Sequence, residues 1–358
     1  MSYPDWPQIR RDAFDESFMR RPGLPMLAAE TPSFMGRPVA RTAAELEGAD
    51  IVIIGSTYVA GVEAYAGVAR DDWAAAAKRV RQQSCRYVSG YLQDFDLDVF
   101  EHLRVVDYGD ADLPDSCLHE ATAENALAAQ ALVEAKVRDA LAAGAIPIVI
   151  GQNSPASSFA IAKPISEVTQ GRVGMVSFDT HWDSEPMDDL IADPRIAGGS
   201  SWKGKTYEFL DNFHIEDLVE IGERGMLENK AIIRNYLAQG AHFLSGWKVK
   251  QIGIEAVCAE LRHAYARTEA VYAHFDMDVI GGAGPVAGDI LGELAEPLGL
   301  TEYEVLRIAH EVGLRGLAGL SFICIPPGSK IVYRLVVYVI MYLLAGLVIG
   351  RQRAGHAG

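Results

Sequence analysis

The sequence predicts a three-layer α/β/α domain on a mostly parallel, doubly wound sheet. Short apolar runs recur along the chain as buried parallel strands do, and helical stretches separate most of them. The 358 residues are 49% hydrophobic and 22% charged, an ordinary globular composition with ample material for one large core. In such a sheet the chemistry gathers at the carboxyl ends of the strands.

Residues 1–40, rich in Pro, Arg and aromatics without a sustained period, read as an arm over the domain or a neighbouring subunit, and 41–358 as a single domain. The first strand is 49–55 (ADIVIIG), followed by a helix over 71–84 and a second strand at 103–108 (LRVVDY). A helix over 124–142 stacks Val133, Val137 and Leu141 at four-residue spacing, and Gly144 stops it. Further strands are expected at 146–150, 173–178, 218–221, 251–254, 270–275 and 319–325. Residues 335–349 (LVVYVIMYLLAGLVI) carry no charge but fall short of the roughly 20 residues a bilayer requires, so they read as a buried core helix.

A net charge of −16 argues against nucleic-acid or anionic-membrane surfaces and suits a cationic partner or substrate. Cys85, Cys117, Cys258 and Cys324 have no zinc-clip or redox spacing and read as reduced thiols. The N-terminus has Asp5 and two prolines where an export signal would be apolar, which makes a cytoplasmic protein the expectation.

Two strand ends carry unusual chemistry. VSFDTHWD places Asp179, His181 and Asp183 at alternate positions after one buried strand, and AHFDMD places Asp276 and Asp278 after another. Alternate side chains of an extended segment project to one side, so the two clusters can face each other. Four carboxylates and an imidazole in one semi-buried cleft require a compensating cation, and a divalent metal or a carboxylate-bridged pair supplies it. Isolated aspartates after strands are usually helix caps or loop residues; two such clusters together favour metal.

These residues resemble the ureohydrolase (arginase and agmatinase) family. DTHWD is similar to its DAHxD motif and HFDMD to its SxDxDxxDP motif, in the right order. TPSFMGRP (31–38), VDYGD (106–110) and LAGLSFICIPPGSK (317–330) resemble weaker family segments. The resemblance implies an arginase-like fold and hydrolysis of a guanidine-type C–N bond by water bridging two Mn2+ or Ni2+ ions. It implies Asp179 and Asp276 as bridging ligands and His181 with Asp278 completing one ion. Asp183, with a histidine from GGDHS, completes the other. The residual catalytic roles fall to Asp183 and Asp278.

The sequence departs from the family at several of these positions. The GGDHS segment reads IGQNS, so Asn153 stands where a ligating histidine belongs and Gln152 where an acid belongs. Cys324 aligns with the glutamate that receives the guanidinium, and Ser321 with the aspartate before it. A neutral thiol cannot hold a planar cation by paired charge-assisted bonds. Trp202, in AGGSSWKGK, stands near the place of the catalytic-loop histidine, and Gly281 and Gly282 replace the DP. His274 reads as a satisfied core histidine beneath the site, too deep to replace the lost ligand. At most one Ni2+ or Mn2+ is expected to be well held.

The pattern of losses implies an accessory, non-catalytic subunit paired with an intact ureohydrolase paralogue in a trimer- or hexamer-like hetero-oligomer, as in two-component nickel-dependent metformin hydrolases. One alternative is a single-metal hydrolase acting on an unusual amidine or biguanide, with Cys324 and Trp202 lining a pocket for a bulkier guanidino cation. Another is a regulatory protein that binds such a ligand without turnover.

Overall fold

The computed structural model describes residues 23–28, 30–60, 64–65, 68–87, 89–224, 226, 228–281, 297–327 and 330–356. Among the described residues lies an eight-stranded sheet made of β1 (Ile51–Gly55), β2 (Val105–Asp110), β3 (Ile146–Ile150), β4 (Val173–Phe178), β5 (Phe213–Ile221), β6 (His242–Leu244), β7 (Ala270–Asp276) and β8 (Gly319–Ile323). Its order is β6-β5-β4-β7-β8-β3-β1-β2, and every pairing is parallel. The chain leaves β3, builds β4 to β6 further out, then returns to lay β7 and β8 into the interval. The carboxyl ends of β4, β7, β8 and β3 therefore stand side by side.

Alternation along the strands divides the core in two. Ile51 and Ile53 face one layer, with α1 (Ala76–Ser84), α9 (Glu302–Arg315) and α10 (Lys330–His356). Val52 and Ile54 face the other, with α2 (Ala123–Ala142), α3 (Ser158–Val168) and α4 (Trp202–Phe209). Between β5 and β7 run α5 (Lys230–Ala238), α6 (Gly246–Ile252), α7 (Ile254–Glu260) and α8 (Arg262–Tyr265). Both sheet faces are covered, which is why the strands read as continuous apolar runs. Each fully buried aliphatic side chain contributes about 1.5–3 kcal/mol to that packing.

α10 is the one helix among the described residues long and apolar enough to cross a membrane, and most of its apolar window is buried inside the protein. It packs on α9 backbone to backbone. A Cβ added at Gly313 would lie 1.9 Å from the Leu343 carbonyl oxygen, and one at Gly346 would lie 2.1 Å from that of His310. The uncharged run 335–349 within it reflects burial on nearly all sides.

Several boundaries differ from the sequence reading. Residues 251–254 are helical: α6 ends at Ile252, Gly253 breaks the chain at φ 81°, and α7 starts at Ile254. Val249 and Ile252 stand three apart on α6 and Val257 on the separate helix α7, and the short apolar QIGI run across the break concealed both. The strand of this unit is His242–Leu244, only three residues at the sheet edge. β5 starts five residues before its apolar run because charged residues sit in its irregular first half, where the register with β4 shifts. The helix expected over 71–84 is interrupted at Ala75. β8 stops at Ile323 because Cys324 adopts φ 52°.

Part of the expected arm is integral to the fold. Met26–Ala28 pairs with Thr31–Pro32, Phe34 and Met35 are buried, and the Phe34 amide donates to Asp107 Oδ2 at 2.7 Å. Residues 1–22 and Gly282 lie outside the described residues.

Candidate metal centre

The segment after β4 turns sharply. Asp179 Oδ1 accepts the His181 amide at 2.7 Å, and Asp183 adopts φ 43°. After β7, Asp276 Oδ1 accepts the Asp278 amide at 2.8 Å. The two turns are tied together: the Thr180 amide donates to Asp278 Oδ1 at 3.1 Å and its hydroxyl to the Asp278 carbonyl at 2.8 Å. His181 Nδ1 lies 3.0 Å from Asp278 Oδ2 and 4.0 Å from Asp179 Oδ1. The expected ligands are thus brought together, with Asp179, His181 and Asp183 offering one convergent donor set and Asp179, His274 and Asp276 a second.

Electrostatics at the centre are dominated by buried negative charge. Burial, then the charges of Asp278 and Asp179, push Asp276 well above the carboxylate range, and burial does the same to Asp183. Burial opposes the His181 imidazolium, but the bond to Asp278 and the surrounding carboxylates outweigh it and raise its pKa to about 10. At Asp278 burial is likewise outweighed, mainly by His181, and its pKa falls below the ordinary range. A proton on His181 thus stands where an ion would supply charge.

A second cation escaped the sequence reading. Lys203, fully buried at the start of α4, places Nζ 3.2 Å from Asp179 Oδ2, 3.1 Å from Glu220 Oε2 and 3.8 Å from Glu223 Oε1, and donates to the His181 carbonyl at 2.8 Å. Glu220 is pushed up to about 8 by burial, against the pull of Lys203. The signal was a glutamate within the apolar run LVEI of β5, a charge that the sheet must carry into the core. Asp179 Oδ2, both Glu220 carboxylate oxygens and His274 Nε2 are buried without a hydrogen bond of good direction. Asp179 Oδ2 and Glu220 Oε2 have their ion pair with Lys203, so the nitrogen left open beside the convergent carboxylates is His274 Nε2, a donor that fits a metal cation.

The substituted positions take up distinct places. Asn153, His181, Asp183, Asp276, Asp278 and Cys324 line one cleft of about 570 Å³. The Asn153 side chain has no hydrogen-bond partner among the described residues. Gln152 is a clamp: its Nε2 donates to the carbonyls of Trp73 at 2.9 Å and Ile325 at 2.7 Å, and its Oε1 accepts the Ile325 amide at 2.6 Å. Burial and the charge of Asp276 keep the Cys324 thiol protonated.

Trp202 does not line the cleft, contrary to the reading of a Trp-lined pocket. It is fully buried, its Nε1 donates to Asp183 Oδ2 at 2.9 Å, and its ring lies 4.4 Å from that of His274. The indole is too large and apolar to stay at a wet surface when a core position stands behind the turn. Acidic residues Glu185, Asp188, Asp189 and Glu228 line the cleft instead. His274 is buried as expected but only half satisfied: Nδ1 meets Ser321 Oγ at 3.1 Å, while Nε2 lies 3.8 Å from Asp179 Oδ2.

A model of the arginase family matches residues 49–344. Among curated proteins, no sequence matches the chain. Proclavaminate amidino hydrolase from Streptomyces clavuligerus superposes with a TM-score of 0.73 at 20% identity, covering 92% of this chain and 100% of its own. A hypothetical agmatinase from Burkholderia thailandensis gives 0.71 at 20% identity, covering 95% and 98%. The formiminoglutamase of Trypanosoma cruzi solved with Mn2+ gives 0.66 at 21% identity, covering 89% and 99%. At these identities the likeness is one of fold.

Proposed function

This chain belongs to the arginase family, and from that premise we propose that it is an accessory subunit with an incomplete two-metal centre, assembling with an intact paralogue that hydrolyses a guanidine or biguanide of the metformin type. The observation that carries the reading is the side chain of Asn153. Asp183 accepts the buried Trp202 indole on Oδ2 and keeps Oδ1 for an ion beside Asp179 and His181, but the cleft offers only the neutral amide of Asn153 where the second ligand of that position would stand. The first metal position is therefore left with a weak neutral donor in place of an imidazole.

One divalent ion, Ni2+ or Mn2+, fits the remaining donors Asp179, His181, Asp276 and Asp278. Such an ion supplies positive charge that makes water a better nucleophile near neutral pH. The chain's own residues prepare for it: Thr180 fixes the Asp278 carboxylate, His181 sits against that carboxylate and would give up its proton to ligate, and Lys203 holds the far side of Asp179. Cys324 gives no carboxylate to receive a guanidinium.

Co-expression with an intact paralogue tests the role. The expected result is co-purification as a hetero-oligomer, higher activity or solubility of the partner, and no turnover by this chain alone. Turnover of a guanidino or biguanide compound by the purified chain alone would sink the accessory reading. It would favour a single-metal hydrolase, to which the acidic cleft lends support because it suits a cationic substrate. Asn153→His tests the incomplete centre independently: metal bound per chain, measured by elemental analysis, should rise relative to wild type.

A further inference from the structure

A second convergence of donors lies apart from the central cluster, at the sheet edge. β6 brings His242 beside the α7–α8 corner, where Glu260 ends α7 and His263 follows three residues later on α8. His242 Nε2 lies 2.7 Å and His263 Nε2 3.3 Å from the same oxygen, Glu260 Oε2. The two imidazoles stack with centroids 4.0 Å apart and planes 20° apart. Neither imidazole meets the carboxylate along a hydrogen-bonding direction, and His242 Nε2 is buried with no such partner at all. The ligand atoms of the three residues lie within 4.8 Å of one another.

We propose that His242, Glu260 and His263 form a peripheral binding site for a borderline divalent cation of the Zn2+ or Ni2+ class. Two imidazole nitrogens and one carboxylate oxygen are the donor chemistry these ions select, with water completing the shell. Bond lengths of about 2.0–2.2 Å in a tetrahedral shell set donors about 3.4 Å apart; the His263 contact, at 3.3 Å, is already at that spacing, whereas the His242 contact, at 2.7 Å, must open and the stacked rings must turn to face the ion. The second oxygen of Glu260 is already held, Oε1 accepting from Arg262 Nη1 at 2.6 Å, which aims Oε2 at the imidazoles. All three side chains keep a quarter to two-fifths of their surface exposed, so an ion can enter from solvent.

The ion would fasten β6, paired to the sheet only through β5, to the helices that precede β7. β6 and the residue after it hold the segment that follows β5, since the Leu244 carbonyl accepts the Gly222 amide at 3.0 Å and the Gly246 amide donates to the Glu223 carbonyl at 3.0 Å. A peripheral ion would therefore steady the segment that carries Glu223.

The test is Zn2+ binding to the full chain by equilibrium dialysis, comparing wild type with the double variant His242→Gln, His263→Gln. Loss of one Zn2+ per chain, or its binding weakened by about a hundredfold, is expected, with zinc-induced thermal stabilisation reduced in step. Equal stoichiometry and affinity in the two proteins would overturn the site. Should the variant not fold, zinc anomalous scattering from wild-type crystals decides. A peak bonded to His242, Glu260 and His263 supports the proposal, and a peak only at the central carboxylates refutes it. The central cluster keeps its ligands in both arms, so the result does not depend on the reading of that centre.

Discussion

The ammonium of Lys203 stands 3.1 to 3.8 Å from three carboxylates, fully buried. Removing one partner of a buried charge cluster leaves the others uncompensated, so Lys203→Met should destabilise the metal-free fold by about 3–5 kcal/mol in denaturant titrations. Added divalent metal should restore part of the loss, and an unchanged midpoint would show that the carboxylates are protonated rather than paired. The protonation state has its own signature. His181, raised to about 10, stabilises the metal-free fold fully below the unfolded imidazole pKa of about 6.5, and that contribution is lost as pH rises through about 10. Glu220, raised to about 8, acts in the same direction: its contribution is complete below the unfolded value of about 4.3 and lost as pH rises through about 8. In chelator the denaturant midpoint should therefore fall between about pH 7 and pH 9, and metal should flatten the decline by replacing the His181 proton. At this scale the sequence was legible where chemistry repeats at a fixed spacing, as in Asp179, His181 and Asp183. It was opaque where one residue matters only through its neighbours in space: Lys203 meets Glu220 and Glu223 from a different element, and nothing in WKGK announces that.

Strand ends and helix contacts carry the next level of consequence. The Gln152 side chain joins the end of β3 to the segment after β8 through two hydrogen bonds to the Ile325 backbone, and it makes a third to the carbonyl of Trp73. Gln152→Ala should cost about 1–3 kcal/mol by leaving buried groups unpaired, readable as a lower denaturant midpoint. The same substitution should loosen Cys324, whose left-handed backbone is fixed by its neighbour Ile325. At the α9–α10 contact, Gly313→Ala would drive a methyl group to 1.9 Å from the Leu343 carbonyl oxygen. The helices must separate, at about 3 kcal/mol or more, which calorimetry would register as a lower Tm. The apolar strands β1, β3, β4, β7 and β8 were plain in the sequence because burial on both faces forces continuous hydrophobic runs. β6 was not, being three residues at an edge, and its place was taken in the reading by the apolar face of two short helices around Gly253.

Across the whole molecule, an excess of acidic residues gathers where the four central strands end, so cation binding in the cleft should weaken as salt screens it. Titrating guanidinium against the metal-free chain at low and high ionic strength would measure that dependence. Strand order was beyond sequence reading, since local periodicity says nothing about which parallel strands are neighbours. That order has a temporal consequence. β7 and β8 enter the interval between β3 and β4 after the outer strands have been made, so a ribosome must deliver most of the chain before the sheet can close. Until then β3 and β4 present two bare apolar edges, and Asp179 waits without Asp276 or Asp278 opposite it. Folding from the N-terminus cannot complete in sequence; it must hold an open sheet and close its middle last, a route of high contact order that is slow and exposed to aggregation.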